Sequence, residues 1–158
     1  SQNMPSIEFD KTDRKILSLL QADGRMTNAE LSQRISLSPS ACLRRVQRLE
    51  ESGVIAGYVA LVRQEAVGRP TSIFVEVTLK SQSEEALKAF ERAVRACPDI
   101  MECYLMSGDA DYLIRVVAAD TQDYERIHKQ HLTRLPGVAR IRSSFALRAI
   151  CKKTALDV

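Results

Sequence analysis

Hydrophobic residues recur every three to four positions along the first third of the chain, a spacing that predicts amphipathic helices. Capping-type residues stand where three such helices would begin, at Asp10, Thr27 and Ser38. Thr27 precedes a glutamate by three positions, as in a capping box, and Ser38 precedes a proline, which the first helical position tolerates. The third helix is expected to run to about Ser52. The pattern therefore predicts three helices, with a short second helix joined to the third by a tight turn.

After Gly53 the period becomes that of β strands, and the segment VIAGYVALV over 54–62 predicts a small β wing. The second half predicts the order strand, helix, strand, strand, helix, strand, with apolar residues alternating along the strands. These alternating residues are Ile73, Val75, Val77 and Leu79, then Met101, Cys103 and Leu105, then Ile114 and Val116. The last helix is expected over 121–135 and the last strand over 139–148.

This order of elements predicts an α+β chain, with an N-terminal winged helix-turn-helix followed by a ferredoxin-like βαββαβ domain. A length of 158 residues allows two small domains. Gly68 and Pro70 interrupt the pattern between them. We expect the first domain over residues 7–62, a linker over 63–70 and the second domain over 71–158.

Composition excludes several classes of protein. With 45% hydrophobic and 27% charged residues the chain is typical of globular proteins, and no apolar run approaches the roughly 20 residues of a membrane-spanning helix. The N-terminus lacks the pattern of a signal peptide. The four cysteines have no CxxC or zinc-site spacing, so we expect reduced thiols in a cytoplasmic protein. A net charge of +3 is only mildly basic, so the distribution of charge has to identify any nucleic-acid surface.

The third helix has one apolar and one cationic face. On a helical wheel Cys42, Val46 and Leu49 gather on the side expected to pack into the domain, and no acidic residue occurs between Ser38 and Leu49. A helix fits the DNA major groove, where arginine can bridge the two acceptors of guanine and glutamine can pair with adenine. The predicted DNA-binding residues are Thr27, Ser38, Ser40, Arg44, Arg45, Gln47 and Arg48.

Within this set Arg44 and Arg48 are the best candidates for contact with bases or phosphates, since both are expected to point away from the apolar side. Ser40 and Gln47 suit hydrogen bonds to bases or backbone. Phosphate contacts that position the helix suit Thr27, Ser38 and Arg45. Thr27 and Ser38 also have a purely structural role as helix caps. A basic strip can simply be a solvated helix face, but the helix-turn-helix order favours DNA recognition.

Three segments of the sequence resemble the Lrp/AsnC (feast/famine) regulators. DKTDRKILSLLQADGRMTNAELSQRISLSPSACLRRVQRLEESGVI is similar to their DNA-binding domain, while SGDADYL and LPGVARIRSSFALRAICKKTAL are similar to their glycine-and-aspartate turn and final strand. The resemblance spans Asp10 to Leu156. It implies a homodimer formed through the C-terminal sheets, commonly assembled into tetramers or octamers, that binds double-stranded DNA and responds to an amino acid. Two-fold symmetry also suits two recognition helices about 34 Å apart on the duplex.

The turn SGDAD is the expected site of an amino-acid effector in the ligand-sensing and oligomerisation domain. Such a ligand needs donors for its carboxylate and an acceptor for its ammonium group, and serine, glycine and aspartate supply both. The predicted effector-binding residues are Tyr104, Met106, Ser107, Gly108, Asp109 and Asp111. Taken alone, the same residues also fit an ordinary hairpin turn.

The sequence predicts no catalytic residue, metal site or cofactor other than that effector. His128 and His131 lie one helical turn apart, but no further ligands are spaced nearby, so buried or interfacial histidines are expected. The tetrapyrrole decarboxylases, which resemble this family in layout, make an enzyme the rival class, although their reaction does not require an arginine-lined helix. A weakly sequence-specific architectural DNA binder is the second rival.

Overall fold

A computed structural model of the chain describes residues 8–158, which form two compact units. The first unit runs to Leu61 and also includes Cys151–Val158, and the second is Val62–Ile150. The expected start of the first domain at residue 7 lies outside the described residues. The second domain was expected to continue to residue 158, but the last eight residues join the first unit. Side-chain hydrogen bonds between Gln21 and the backbone of Leu156, at 2.9 and 2.6 Å, account for this difference.

Three helices build the first unit: α1 (Lys11–Ala22), α2 (Asn28–Arg34) and α3 (Pro39–Glu51). The caps predicted from sequence are confirmed, because the side chains of Asp10, Thr27 and Ser38 each accept a hydrogen bond from a backbone amide of the first turn. The helices enclose a small apolar core of Ile16, Leu31, Ile35, Cys42 and Leu49.

The segment over 54–62 that follows α3 belongs to no helix or strand. Within residues 8–158 no strand occurs between Glu51 and Thr71, so residues 54–62, expected to form a small β wing, pair with no strand within the single chain. A strand requires a neighbour with which to exchange backbone hydrogen bonds, and here the backbone amide of Ile55 instead donates to the carbonyl of Leu49 at 3.0 Å. The apolar side chains of Val59 and Leu61 remain 82% and 72% exposed. The expected linker contains a 3-10 turn, Glu65–Val67.

The second unit confirms the ferredoxin-like order. Its elements are β1 (Thr71–Leu79), α4 (Glu84–Arg95), β2 (Ile100–Leu105), β3 (Tyr112–Ala118), α5 (Thr121–Gln130) and β4 (Val138–Phe145). The strands pair antiparallel in the order β2-β3-β1-β4. The alternating side chains of β1 and β3 pack in one core with Phe90, Val94 and Ile127 from the helices. The opposite face of the sheet carries Phe74 and its antiparallel neighbour Arg115.

Three details differ from the expected strands and helices. The last helix ends at Gln130, and a 3-10 turn, Leu132–Arg134, takes the place of its final turn. Strand β4 ends at Phe145, which pairs with Ile73, although the Ala146 amide still donates to the Ser72 carbonyl at 2.9 Å. An irregularity in the β2–β3 register after Ile100 leaves Met101 53% exposed, contrary to the simple alternation. No helix of residues 8–158 is long and apolar enough to cross a membrane.

Candidate functional site

The outward face of α3 carries the polar residues expected at a nucleic-acid interface. Ser40, Arg44, Gln47 and Arg48 are exposed, whereas Arg45 is half-buried. The angle between α2 and α3 is held by Asn28, whose side-chain amide donates to the Pro39 carbonyl at 2.8 Å. This face is therefore a fixed surface on a packed three-helix unit.

Two of the three arginines are bound to carboxylates of α1 and its cap. The Asp13 side chain is 1% exposed and lies 2.7 Å from Arg48 and 3.2 Å from Arg45. Arg45 also lies 2.6 Å from Asp10. Arg48 points away from the apolar side of α3, as expected, and it also compensates a buried charge, because an ionised carboxylate in the interior requires a cationic partner.

These ion pairs change the electrostatics of the interface. The hydrogen bond from Arg45 lowers the pKa of Asp10 from 3.8 to about 2, so this carboxylate is ionised at neutral pH. Among residues 8–158 no carboxylate lies within ion-pair distance of Arg44. Arg44 is thus the uncompensated cation of the outward α3 face.

The remaining predicted DNA contacts are helix caps in this structure. The Thr27 hydroxyl accepts from the Glu30 amide at 3.2 Å, and the Ser38 hydroxyl accepts from the Ala41 amide at the same distance. The hydroxyl groups of Ser38 and Ser40 lie 3.4 Å apart. The two caps fix the first turns of α2 and α3.

The predicted effector turn joins β2 to β3 and is anchored to β1. The Met106 amide donates to the Asp111 carbonyl at 2.9 Å, which closes the hairpin. The Asp111 amide donates to the Val77 carbonyl at 3.0 Å, and the Asp111 carboxylate accepts from the Leu79 amide at 2.7 Å. Asp111 therefore uses one carboxylate oxygen to hold the turn against the end of β1.

The tip of the turn is exposed. Among the described residues the backbone amides of Ser107, Gly108 and Asp109 have no acceptor, and Gly108 has a φ of 142°, which favours glycine. The structure thus brings together five of the six predicted effector residues, from Met106 to Asp111. Tyr104 lies in β2, 53% exposed, and its hydroxyl donates to Glu102 at 2.7 Å.

Comparison with known proteins decides the family. A sequence model of the Lrp/AsnC ligand binding domain matches residues 72–156, and a model of a winged helix-turn-helix DNA-binding domain matches residues 9–56. The chain belongs to the Lrp/AsnC family. It is a DNA-binding transcription regulator with a ligand-binding domain and not an enzyme, as the regulators related to it indicate.

Its Lrp/AsnC relatives match over nearly their whole lengths. The leucine-responsive regulatory protein of Escherichia coli is 39% identical over 158 residues, which is 100% of this chain and 96% of that protein. The Bkd operon transcriptional regulator of Pseudomonas aeruginosa is 42% identical over 94% of this chain and 97% of its own. A transcriptional regulator of Neisseria meningitidis, solved in complex with L-methionine, superposes with a TM-score of 0.89 at 38% identity, covering 94% of this chain and 96% of that one.

The contribution of Asp10 and Asp13 to the arginine face was missed in the sequence. Asp13 stands at the first position of an otherwise apolar stripe of α1, where an acid at a core-facing position signals a buried partner. That signal does not identify the partner, because Arg48 lies 35 residues away along the chain.

Proposed function

We propose that this Lrp/AsnC regulator reads double-stranded DNA through α3, with Arg44 as its main contact to a base or phosphate. The observation that carries this proposal is the uncompensated Arg44 guanidinium on the exposed, acid-free face of α3. A free guanidinium on a helix that fits the major groove can bind guanine or phosphate oxygens without first breaking an ion pair.

Arg45 and Arg48 act as oriented cations. Their pairing with Asp10 and Asp13 limits the positions that the guanidinium groups sample, so less side-chain entropy is lost when they contact phosphates. Ser40 and Gln47 are exposed on the same face and supply hydrogen bonds to bases or backbone. The caps Thr27 and Ser38 position the helices and contact phosphates.

The DNA-binding form is a homodimer that pairs through the face of the sheet opposite the helices, and the dimer assembles further into tetramers or octamers. Phe74 on this face is 40% exposed. Arg115 beside it has a buried Nη1 atom without a hydrogen-bond partner among the described residues. A second copy covering this face buries the phenyl ring and can supply the missing acceptor.

An amino acid bound at the turn 106–111 modulates DNA binding in the cytoplasm. The unpaired amides of the turn suit a carboxylate, and the exposed carboxylate of Asp109 suits an ammonium group. The Neisseria relative was solved with L-methionine, and the E. coli relative is named for its response to leucine. Apolar side chains such as Met106, and Tyr104 from the neighbouring strand, select the effector side chain.

The DNA proposal is tested by fluorescence anisotropy with a duplex from the region upstream of the coding sequence, and with random duplex, over a series of salt concentrations. Arg44→Ala should weaken specific binding by about 1–3 kcal/mol for each subunit in contact and make the salt dependence shallower. Arg92→Ala removes an equal charge from α4 and is the matched control. Equal losses in both variants would reject the role of Arg44, and equal affinity of the wild type for both duplexes would favour an architectural binder.

The effector proposal is tested by calorimetry with the common amino acids. We expect one of them to bind and to alter DNA affinity, and Asp109→Ala to abolish the heat of binding. Glu125→Ala removes an exposed carboxylate from α5 and serves as the control. An amino acid that binds the Asp109 variant as tightly as the wild type would refute the assignment of the turn.

A further inference from the structure

A second cluster of ligand-type side chains lies in the ferredoxin-like unit. Cys97 and Asp99 come from the short connection between α4 and β2, and His131 follows the end of α5. One sulfur, oxygen or nitrogen atom from each of the three residues lies within 4.8 Å of the other two. Cys97 and Asp99 are buried, while the His131 side chain is 35% exposed. The cluster therefore has a solvent-accessible side.

We propose that Cys97, Asp99 and His131 bind one divalent metal ion such as Zn²⁺, independently of the amino-acid effector and of DNA. Thiolate, imidazole and carboxylate are the protein ligands of Zn²⁺, at metal–ligand distances of about 2.0–2.3 Å. Around a tetrahedral ion such donors stand roughly 3.3–3.8 Å from one another. The Nε2 atom of His131 and the Oδ2 atom of Asp99 are already 3.8 Å apart. Small side-chain rotations bring the sulfur to the same separation, and water takes the fourth position.

The two oxygens of Asp99 have different surroundings, which suits a carboxylate that binds a metal through one oxygen. Oδ1 accepts a hydrogen bond from Arg69 at 2.9 Å. Oδ2 faces His131 and is the oxygen available to the ion. A hydrogen bond to the non-ligating oxygen fixes the orientation of the carboxylate, as outer partners do around zinc ligands.

One cation competes with the proposed ion. The Nη2 atom of Arg126 lies 3.9 Å from Oδ2 of Asp99. Arg126 has other partners, since it lies 2.9 Å from Asp123 and its Nη1 donates to Gln130 at 3.3 Å, and its side chain is 40% exposed. It can therefore move away from Asp99 without losing its remaining contacts. A metal ion and Arg126 are alternative partners of the same oxygen.

The first test titrates the full-length, metal-free protein with Co²⁺ under reducing conditions and follows the thiolate-to-cobalt charge-transfer band and the visible ligand-field bands. Competition with Zn²⁺ then gives the zinc affinity. Cys97→Ser should lose the charge-transfer band. Loss of an outer hydrogen-bond partner weakens metal binding by roughly 10–100-fold. Loss of a ligand, in Cys97→Ser or in His131→Gln, should weaken Zn²⁺ binding by more than that. Cys103→Ser and His128→Gln are matched controls that should retain both properties. Circular dichroism verifies the fold of each variant.

A second variant tests the competition directly. Arg126→Gln should bind Zn²⁺ more tightly than the wild type, because the cation facing Oδ2 is removed while all three ligands remain. The thermal midpoint of the wild type should also rise with Zn²⁺ concentration, since a ligand that binds only the folded state stabilises it. The proposal is overturned if the wild type gives no charge-transfer band, or if the ligand variants bind zinc as tightly as their controls. Asp99 would then be only the centre of an ion-pair network.

Discussion

Arg45 and Arg48 share one buried carboxylate, so their contributions to stability should not be additive. The perturbations are Arg45→Ala, Arg48→Ala and the double variant. Asp13 is 1% exposed and lies within 3.2 Å of both guanidinium groups. Either arginine alone can compensate its charge, whereas removal of both leaves an ionised carboxylate buried without a cation.

The structure sets the magnitudes. Each single variant should lose about 1 kcal/mol, because one ion pair remains and the arginine side chains are 33% and 52% exposed, which weakens their pairing through solvent screening. The double variant should lose about 3–5 kcal/mol, the usual cost of leaving a buried charge unpaired. The double loss should therefore exceed the sum of the single losses by about 1–3 kcal/mol.

Urea denaturation followed by far-ultraviolet circular dichroism measures these losses, and the thermal midpoint should fall by about 4–8 °C per kcal/mol for a unit of this size. Arg44→Ala is the control and should change the free energy of unfolding by less than about 0.5 kcal/mol, because the residue is exposed and pairs with no carboxylate of residues 8–158. A double variant whose loss equals the sum of the single losses would refute the shared role of Asp13.

Three further results are expected. Because Arg45 lowers the pKa of Asp10 to about 2, the stabilising effect of this carboxylate is complete above pH 3.8 and is lost as the pH falls through 2. When the unfolding midpoint is followed during acid titration, it should therefore decrease less in Asp10→Asn than in the wild type. Gly108→Ala should cost about 1–3 kcal/mol in urea denaturation, since φ is 142° there, and an unchanged midpoint would show that the turn relaxes freely. Burial raises the pKa of Cys103 to about 11, so iodoacetamide at pH 8 should label exposed Cys151 well before Cys103, as peptide mass spectrometry would show.

Features set by neighbouring residues could be predicted from the sequence. The caps at Asp10, Thr27 and Ser38 act within one helical turn, so residue type and spacing sufficed to place the starts of the helices. The alternation from Ile73 to Leu79 likewise identified a strand with one buried face. The order of these elements then led to the ferredoxin-like fold, which the structure confirms.

Features that depend on distant partners could not be predicted in the same way. The apolar residues of 54–62 have a strand-like pattern, but strand formation depends on a neighbour that the pattern does not specify. The ion pair of Arg48 with Asp13 was missed because its partner belongs to another helix. The spacing of His131 from Cys97 and Asp99 resembles no metal motif, since the fold alone brings these side chains together. Sequence located the candidate DNA face and effector turn, while the structure distinguished paired from unpaired groups within them.

The packing of residues 151–158 against α1 makes the first unit discontinuous in sequence. Its helices are translated first, yet the segment that bonds to Gln21 is translated only after the entire sheet. Amino-terminal domains usually complete their folding early in synthesis. Here the eight residues that complete the first unit are translated only after the ferredoxin-like unit, so the first unit to begin is the last to be completed.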